Sequence, residues 1–126
     1  MKIWLISMAG LIIFIGLAVW VQYNIQNTSG QLDQTLKKVA ISLTHKHWDQ
    51  TLERLQAIKH SWQKIKPLWA MLLHHSEIDS IDQALIRTMK TTQSKNYSEA
   101  QMELGSLQYF IRHIPEREKF SLVNIL

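Results

Sequence analysis

The most informative absence in this 126-residue sequence is cysteine, of which there is none. Without thiols the chain forms no disulfide, offers no thiolate ligand to a metal and has no cysteine nucleophile. A phosphate-binding loop, a nucleophile elbow, an HExxH motif and a paired-carboxylate arrangement are also missing. These absences argue against an enzyme, and no cofactor is expected.

Charge of one sign is not concentrated anywhere in the chain. The 14 Lys and Arg residues exceed the 10 Asp and Glu residues by a net charge of +4, and the two signs alternate instead of forming blocks. This distribution is typical of a solvated helical surface, so no nucleic-acid partner is expected. The hydrophobic share of 46% and the charged share of 19% are those of a chain that folds.

The N-terminal segment from Ile3 to Val21 is apolar and carries no charged residue. As a helix with a rise of about 1.5 Å per residue, it spans roughly 28 Å, the thickness of a bilayer hydrocarbon core. Trp4 and Trp20 stand near its two ends, where indole rings favour lipid headgroups. We therefore predict a transmembrane anchor over residues 1–26, with Lys2, Trp4 and Trp20 at the membrane interfaces.

A cleaved signal peptide is the alternative interpretation of this segment. Signal peptides have a shorter apolar stretch that ends in small residues, and residues 17–22 (Leu-Ala-Val-Trp-Val-Gln) offer no such site. The N-terminal flank carries Lys2, whereas residues 22–36 contain no Lys or Arg. The positive-inside rule then predicts a single-pass protein of the cell membrane, with a cytoplasmic N-terminus and an extracytoplasmic domain.

Beyond the anchor, the sequence predicts helices. Residues 27–30 (Asn-Thr-Ser-Gly) are turn formers, so we predict a linker there and a helical domain over residues 31–126. Apolar residues then recur at helical spacing in four segments, which predicts an all-α fold with a four-helix antiparallel bundle after the transmembrane helix. The predicted corners are residues 45–47, 73–75 and 94–96.

Prolines and capping residues refine these boundaries. Pro67 lies within the second helix and predicts a kink, because the apolar pattern continues past it. Pro115 is predicted to close the fourth helix. Ser76 and Ser98 are the predicted N-terminal caps of the third and fourth helices.

A shift of 49 residues aligns the first predicted helix pair with the second. Residues 32–36 (Leu-Asp-Gln-Thr-Leu) fall on residues 81–85 (Ile-Asp-Gln-Ala-Leu), and Lys46 falls on Lys95. This correspondence predicts two similar helical hairpins. The alternative is that any two amphipathic helix pairs align at some shift.

Histidines and tryptophans are the residues that suggest a binding site. His74 and His75 lie at the second corner, with Glu77 and Asp79 within a turn, a set that can hold zinc. Solvated corner histidines are the favoured interpretation, so no metal is predicted.

Three tryptophans could line either a ligand groove or the core: Trp48, Trp62 and Trp69. The core is favoured, because these side chains share a face with leucines and isoleucines.

The C-terminal segment, residues 120–126, is apolar to its last residue. An end of this composition is expected to dock onto the helices or onto a partner. The candidate partner-binding residues are Phe120, Leu122, Ile125 and Leu126.

These features resemble the domain of unknown function family 4363. The resemblance is carried by the N-terminal span, by residues 48–52 (Trp-Asp-Gln-Thr-Leu) with the later tryptophans, by residues 75–79 and by residues 120–126. His47 departs from the acidic residue usual at that position. The resemblance implies a short single-span protein of spore-forming Gram-positive bacteria with no established activity. It also implies a neighbouring gene for a multi-span membrane protein of the YetF-like type, and hence a membrane complex.

Two functions are expected from the sequence. The first is a non-enzymatic, membrane-anchored accessory or scaffold protein whose helical domain binds a membrane-protein partner at the outer membrane surface. The alternative is an extracytoplasmic ligand or metal sensor, suggested by the corner histidines and the tryptophans.

Overall fold

The computed structural model describes residues 1–125, and it describes side chains for residues 1–114 and Glu116. In these residues the chain forms four helices: α1 (Lys2–Thr44), α2 (Trp48–Leu72), α3 (His75–Gln93) and α4 (Tyr97–Ile125). Short corners make successive helices antiparallel. α2 and α4 each pack against both α1 and α3, which closes the bundle into a ring. The predicted all-α fold is confirmed.

The first and third corners share one backbone geometry. Each places a lysine in the left-handed region, Lys46 at φ 55° and Lys95 at φ 56°. In each corner three backbone N–H groups donate to carbonyls of the preceding turn, and the two sets of hydrogen bonds correspond at a shift of 49 residues. In the first corner these bonds run from His45 to Ile41, from Lys46 to Leu43 and from His47 to Ser42. In the third corner they run from Ser94 to Lys90, from Lys95 to Thr92 and from Asn96 to Thr91. Both predicted corners are confirmed, and so is the corner between α2 and α3.

The core is built from the apolar stripes that the helical spacing predicts. α1 contributes a buried stripe whose members are spaced three or four residues apart and are all apolar except Ser29, namely Ile25, Ser29, Leu32, Leu36, Val39 and Leu43. Trp62 and Trp69 of α2 are buried with their rings edge to face and their centroids 5.4 Å apart. The prediction that these tryptophans belong to the core is confirmed, while Trp48 is half-buried against it.

The predicted linker is wrong, because residues 27–30 lie inside α1. Ile25, Ser29 and Leu32 form one buried stripe across this segment. Tertiary packing of that stripe outweighs the turn preference of the local sequence. The described chain therefore has four helices in all, and the predicted transmembrane segment and first bundle helix are one continuous helix.

The predicted helix end at Pro115 is also wrong, because α4 continues through it to Ile125. Proline lacks the N–H that would donate to the carbonyl of Ile111, four residues earlier. The hydroxyl of Ser29, on α1, donates to that same carbonyl. A neighbouring helix thus supplies the hydrogen bond that the proline removes. Pro67 is likewise tolerated inside α2.

Two predicted caps are each displaced by two residues toward the N-terminus. Asn96, rather than Ser98, caps α4, since its Oδ1 accepts the N–H of Glu99 at 3.3 Å. α3 begins at His75, and its N-cap residue, His74, makes no side-chain capping bond. The predicted cap Ser76 therefore lies inside the helix.

Replacing Ser29 with alanine tests how α4 passes Pro115. The S29A variant leaves the buried carbonyl of Ile111 without a donor, and we expect the free energy of unfolding to fall by about 1–3 kcal/mol. In the P115A background, the backbone N–H of the alanine donates to the carbonyl of Ile111. S29A is therefore expected to lower the free energy of unfolding by less in that background. Urea denaturation of the full chain in detergent, followed by circular dichroism, measures this double-mutant cycle. Equal costs in the two backgrounds would contradict the assignment.

Candidate functional site

The first half of α1 projects from the bundle. Trp4 is 81% exposed and Trp20 is 57% exposed, and the large apolar residues between them are exposed as well. An 18-residue window of α1 has a mean hydropathy of 2.4, and none of it is buried. This length and composition suffice to cross a membrane, and signal sequences share both. Lys2, Trp4 and Trp20 all lie on the projecting half.

The change from exposed to buried surface along α1 is abrupt. Val21 and Gln22 are half-buried, and Ile25 belongs to the core. The bundle therefore begins within two turns of Trp20, with no intervening loop. We call this end of the bundle the base; it comprises residues 21–25, the α2–α3 corner and the parts of α2 and α3 next to that corner.

The α2–α3 corner lies at the height of Trp20. Leu72 is 24 residues from Trp48, and Trp20 is 24 residues from Thr44, across the α1–α2 corner. The antiparallel register is supported by Lys38 and Arg54, which are equally far from that corner and line one crevice. The α2–α3 corner therefore lies beside the point on α1 where the projecting half ends and the buried half begins.

Exposed apolar and histidine side chains occupy this corner. Met71 is 83% exposed and Leu72 is 37% exposed. His74 and His75, which follow, are also exposed. The sequence predicted the corner itself but gave no sign that Met71 points away from the core, because that depends on how α2 packs against α3.

The candidate zinc ligands are not assembled into a site. No group of three or more His, Asp and Glu side chains is placed to hold a metal ion in the residues whose side chains are described. His75, Glu77 and Asp79 occupy alternate positions on α3, so successive members point about 200° apart around the helix. His74 lies outside that helix.

Three buried polar atoms at the base have no hydrogen-bond partner among the described side chains and backbone. They are Gln22 Nε2, Trp69 Nε1 and Glu77 Oε2, one each from α1, α2 and α3. Two are donors and one is an acceptor. Sequence reasoning missed these three atoms, because their burial depends on how the helices pack against one another.

Two carboxylates bind the hairpins together. Asp82 of α3 accepts hydrogen bonds from Trp62 Nε1 at 2.7 Å and Lys66 Nζ at 2.6 Å, both on α2. Asp33 of α1 accepts one from Arg112 Nε of α4 at 2.6 Å. The two aspartates are 49 residues apart in sequence, and each links its hairpin to the other. Both carboxylates are occupied by these partners, which indicates a structural role.

The predicted partner-binding residues lie outside the described side chains. The backbone of α4 includes Phe120, Leu122 and Ile125, and Leu126 falls beyond the described residues.

Comparison with known families gives one result. A family model described as "Domain of unknown function (DUF4363)" matches residues 19–125. The match covers α1 from Val19 onward and the whole of α2, α3 and α4. Comparison with curated proteins gives no match, and comparison with solved structures gives none either.

Replacing Asp82 tests whether its contact with Trp62 holds α2 against α3. In D82A the buried indole N–H of Trp62 loses its acceptor, and we expect a loss of about 1–3 kcal/mol in the free energy of unfolding. K66A removes only a partly exposed ion pair and is expected to cost about 1 kcal/mol or less. D82N keeps an acceptor oxygen and serves as the control. Denaturation curves in which K66A and D82A are equally destabilised would refute this role.

Proposed function

The chain belongs to the family described as domain of unknown function (DUF4363), and from the geometry of α1 we propose that it is a membrane-anchored, non-enzymatic accessory or scaffold protein. The observation that carries the proposal is that one unbroken helix exposes an apolar half and buries the other half in the bundle. Contiguous apolar surface of this size marks contact with a membrane or a protein. A bilayer removes it from water, because the projecting half matches the hydrocarbon core in length.

The anchor is proposed to be retained and to leave the bundle outside the cell membrane. Lys2 on the N-terminal flank favours a cytoplasmic N-terminus. Signal cleavage after the apolar stretch would cut within α1, where the helix is continuous and Val21 and Ile25 already pack against the bundle. The rival interpretation as a cleaved signal therefore has less support.

The partner is proposed to be a multi-span membrane protein, with the YetF-like type as the specific expectation. Ser29 of α1 meets the carbonyl of Ile111 of α4. Because the two helices are antiparallel, Phe120, nine residues beyond Ile111, comes near the height of Trp20, nine residues before Ser29. The apolar end of α4 then descends beside the outer part of the span. A partner within the membrane would meet both helices there, through Phe120, Leu122, Ile125 and Leu126.

We also infer that the bundle consists of two copies of one helical hairpin. The shared corner geometry at Lys46 and Lys95 supports this, as does the equivalent placement of Asp33 and Asp82. Buried positions recur at the same shift, as in Leu36 and Leu85. A sensor function has less support, because Trp62 and Trp69 are almost completely buried in the core.

A photo-crosslinking amino acid at Phe120 tests the partner proposal. We expect irradiation of intact cells to join position 120 to one multi-span membrane protein, because that protein would lie beside the apolar end of α4. The same crosslinker at Met102, which is exposed on α4 far from the base, is the matched control and is expected to give no such adduct. Mass spectrometry of the purified adducts gives the readout. A partner that is crosslinked equally from both positions, or from neither, would overturn the proposal.

A further inference from the structure

We propose that the α2–α3 corner is a second membrane contact, with Met71 and Leu72 resting in the headgroup region of the phospholipid bilayer that holds α1. The inference rests on the proposed membrane anchor. It adds that the base of the bundle lies directly on the lipid surface, so that the α2–α3 corner touches the bilayer in addition to the span.

The height of the corner carries the proposal. Leu72 lies level with Trp20, which ends the projecting apolar half of α1. Indole rings favour the boundary between hydrocarbon and headgroups. Because α1 is unbroken between Trp20 and the core residue Ile25, that height is fixed relative to the span. The corner reaches the headgroups without any bend in the chain.

The chemistry of the corner fits this environment. Outside the projecting half of α1, seven large hydrophobic side chains are exposed in the part of the chain with described side chains: Tyr23, Ile41, Met71, Leu72, Ile86, Met102 and Tyr109. Only Met71 and Leu72 are adjacent in sequence, and Met71 is the most exposed of the seven. His74 and His75 follow them, and side chains with polar tips are favoured at the membrane interface.

Site-specific fluorescence in vesicles tests the contact. The chain contains no cysteine, so the single variants M71C, M102C and I12C each carry one environment-sensitive fluorophore. Each full-length protein is reconstituted into phosphatidylcholine and phosphatidylglycerol vesicles that contain a nitroxide lipid labelled either near the headgroup or deep in the acyl chain. Met71 and Met102 are both exposed, so neither substitution removes a core contact, and circular dichroism checks each fold.

We expect the label at position 71 to shift its emission to shorter wavelength and to lose intensity mainly to the headgroup nitroxide. Met102 precedes Phe120 on α4 by 18 residues, so position 102 lies roughly 27 Å above the corner and is expected to keep its intensity. Position 12 is expected to be quenched mainly by the deep nitroxide.

The outcomes separate this inference from the proposed anchor. Quenching at position 12 without quenching at position 71 overturns the lipid contact and leaves the anchor standing. Absence of quenching at both positions overturns the anchor as well. A blue shift at position 71 that no lipid nitroxide quenches means that protein, such as a second copy of the chain, covers the corner, and this also refutes the proposal.

Discussion

One helix has to satisfy two environments, and the rest of the structure depends on how it does so. α1 exposes apolar side chains over its first half and buries an apolar stripe over its second, with no break between them. An interruption at residues 27–30 would leave backbone N–H and C=O groups unpaired beside the core. The hydrogen bond from Ser29 to the carbonyl of Ile111 lies in this stretch and joins α1 to α4 just where Pro115 removes a donor. The continuity of α1 and that of α4 are therefore linked.

Patterns that depend on one helix at a time could be predicted from the sequence. The stripe through Leu36 and Leu43, the corners at Lys46 and Lys95 and the core position of Trp62 all follow from helical periodicity and local turn preference. Features set by a neighbouring helix could not. The turn formers at residues 27–30 are helical because Ile25, Ser29 and Leu32 pack against other helices. Pro115 is tolerated because Ser29, 82 positions before Ile111, donates a hydrogen bond to the Ile111 carbonyl.

The same distinction applies to the candidate site. The length of the apolar segment and its flanking tryptophans are local features, so the projecting half of α1 was predictable. The burial of the unpartnered polar atoms of Gln22, Trp69 and Glu77 depends on how three helices pack, which no single segment of sequence shows. The corner histidines, which suggested zinc, are not assembled with the nearby acids in the described residues, because His74 lies outside α3 and Glu77 points to the side of that helix opposite His75 and Asp79. Proximity in sequence was a poor guide there.

α1 is one rigid helix that joins the proposed membrane anchor to the bundle, and the rest of the proposed function depends on that continuity. Spin labels at Leu17 and Ile41, which are both exposed on α1, test it directly in the full chain reconstituted into a bilayer, because no native cysteine competes for the label. Pulsed electron paramagnetic resonance is expected to give one narrow distance distribution centred near 36 Å, from a rise of about 1.5 Å per residue. A broad distribution shifted to shorter distances would mean a flexible joint between anchor and bundle and would contradict the claim.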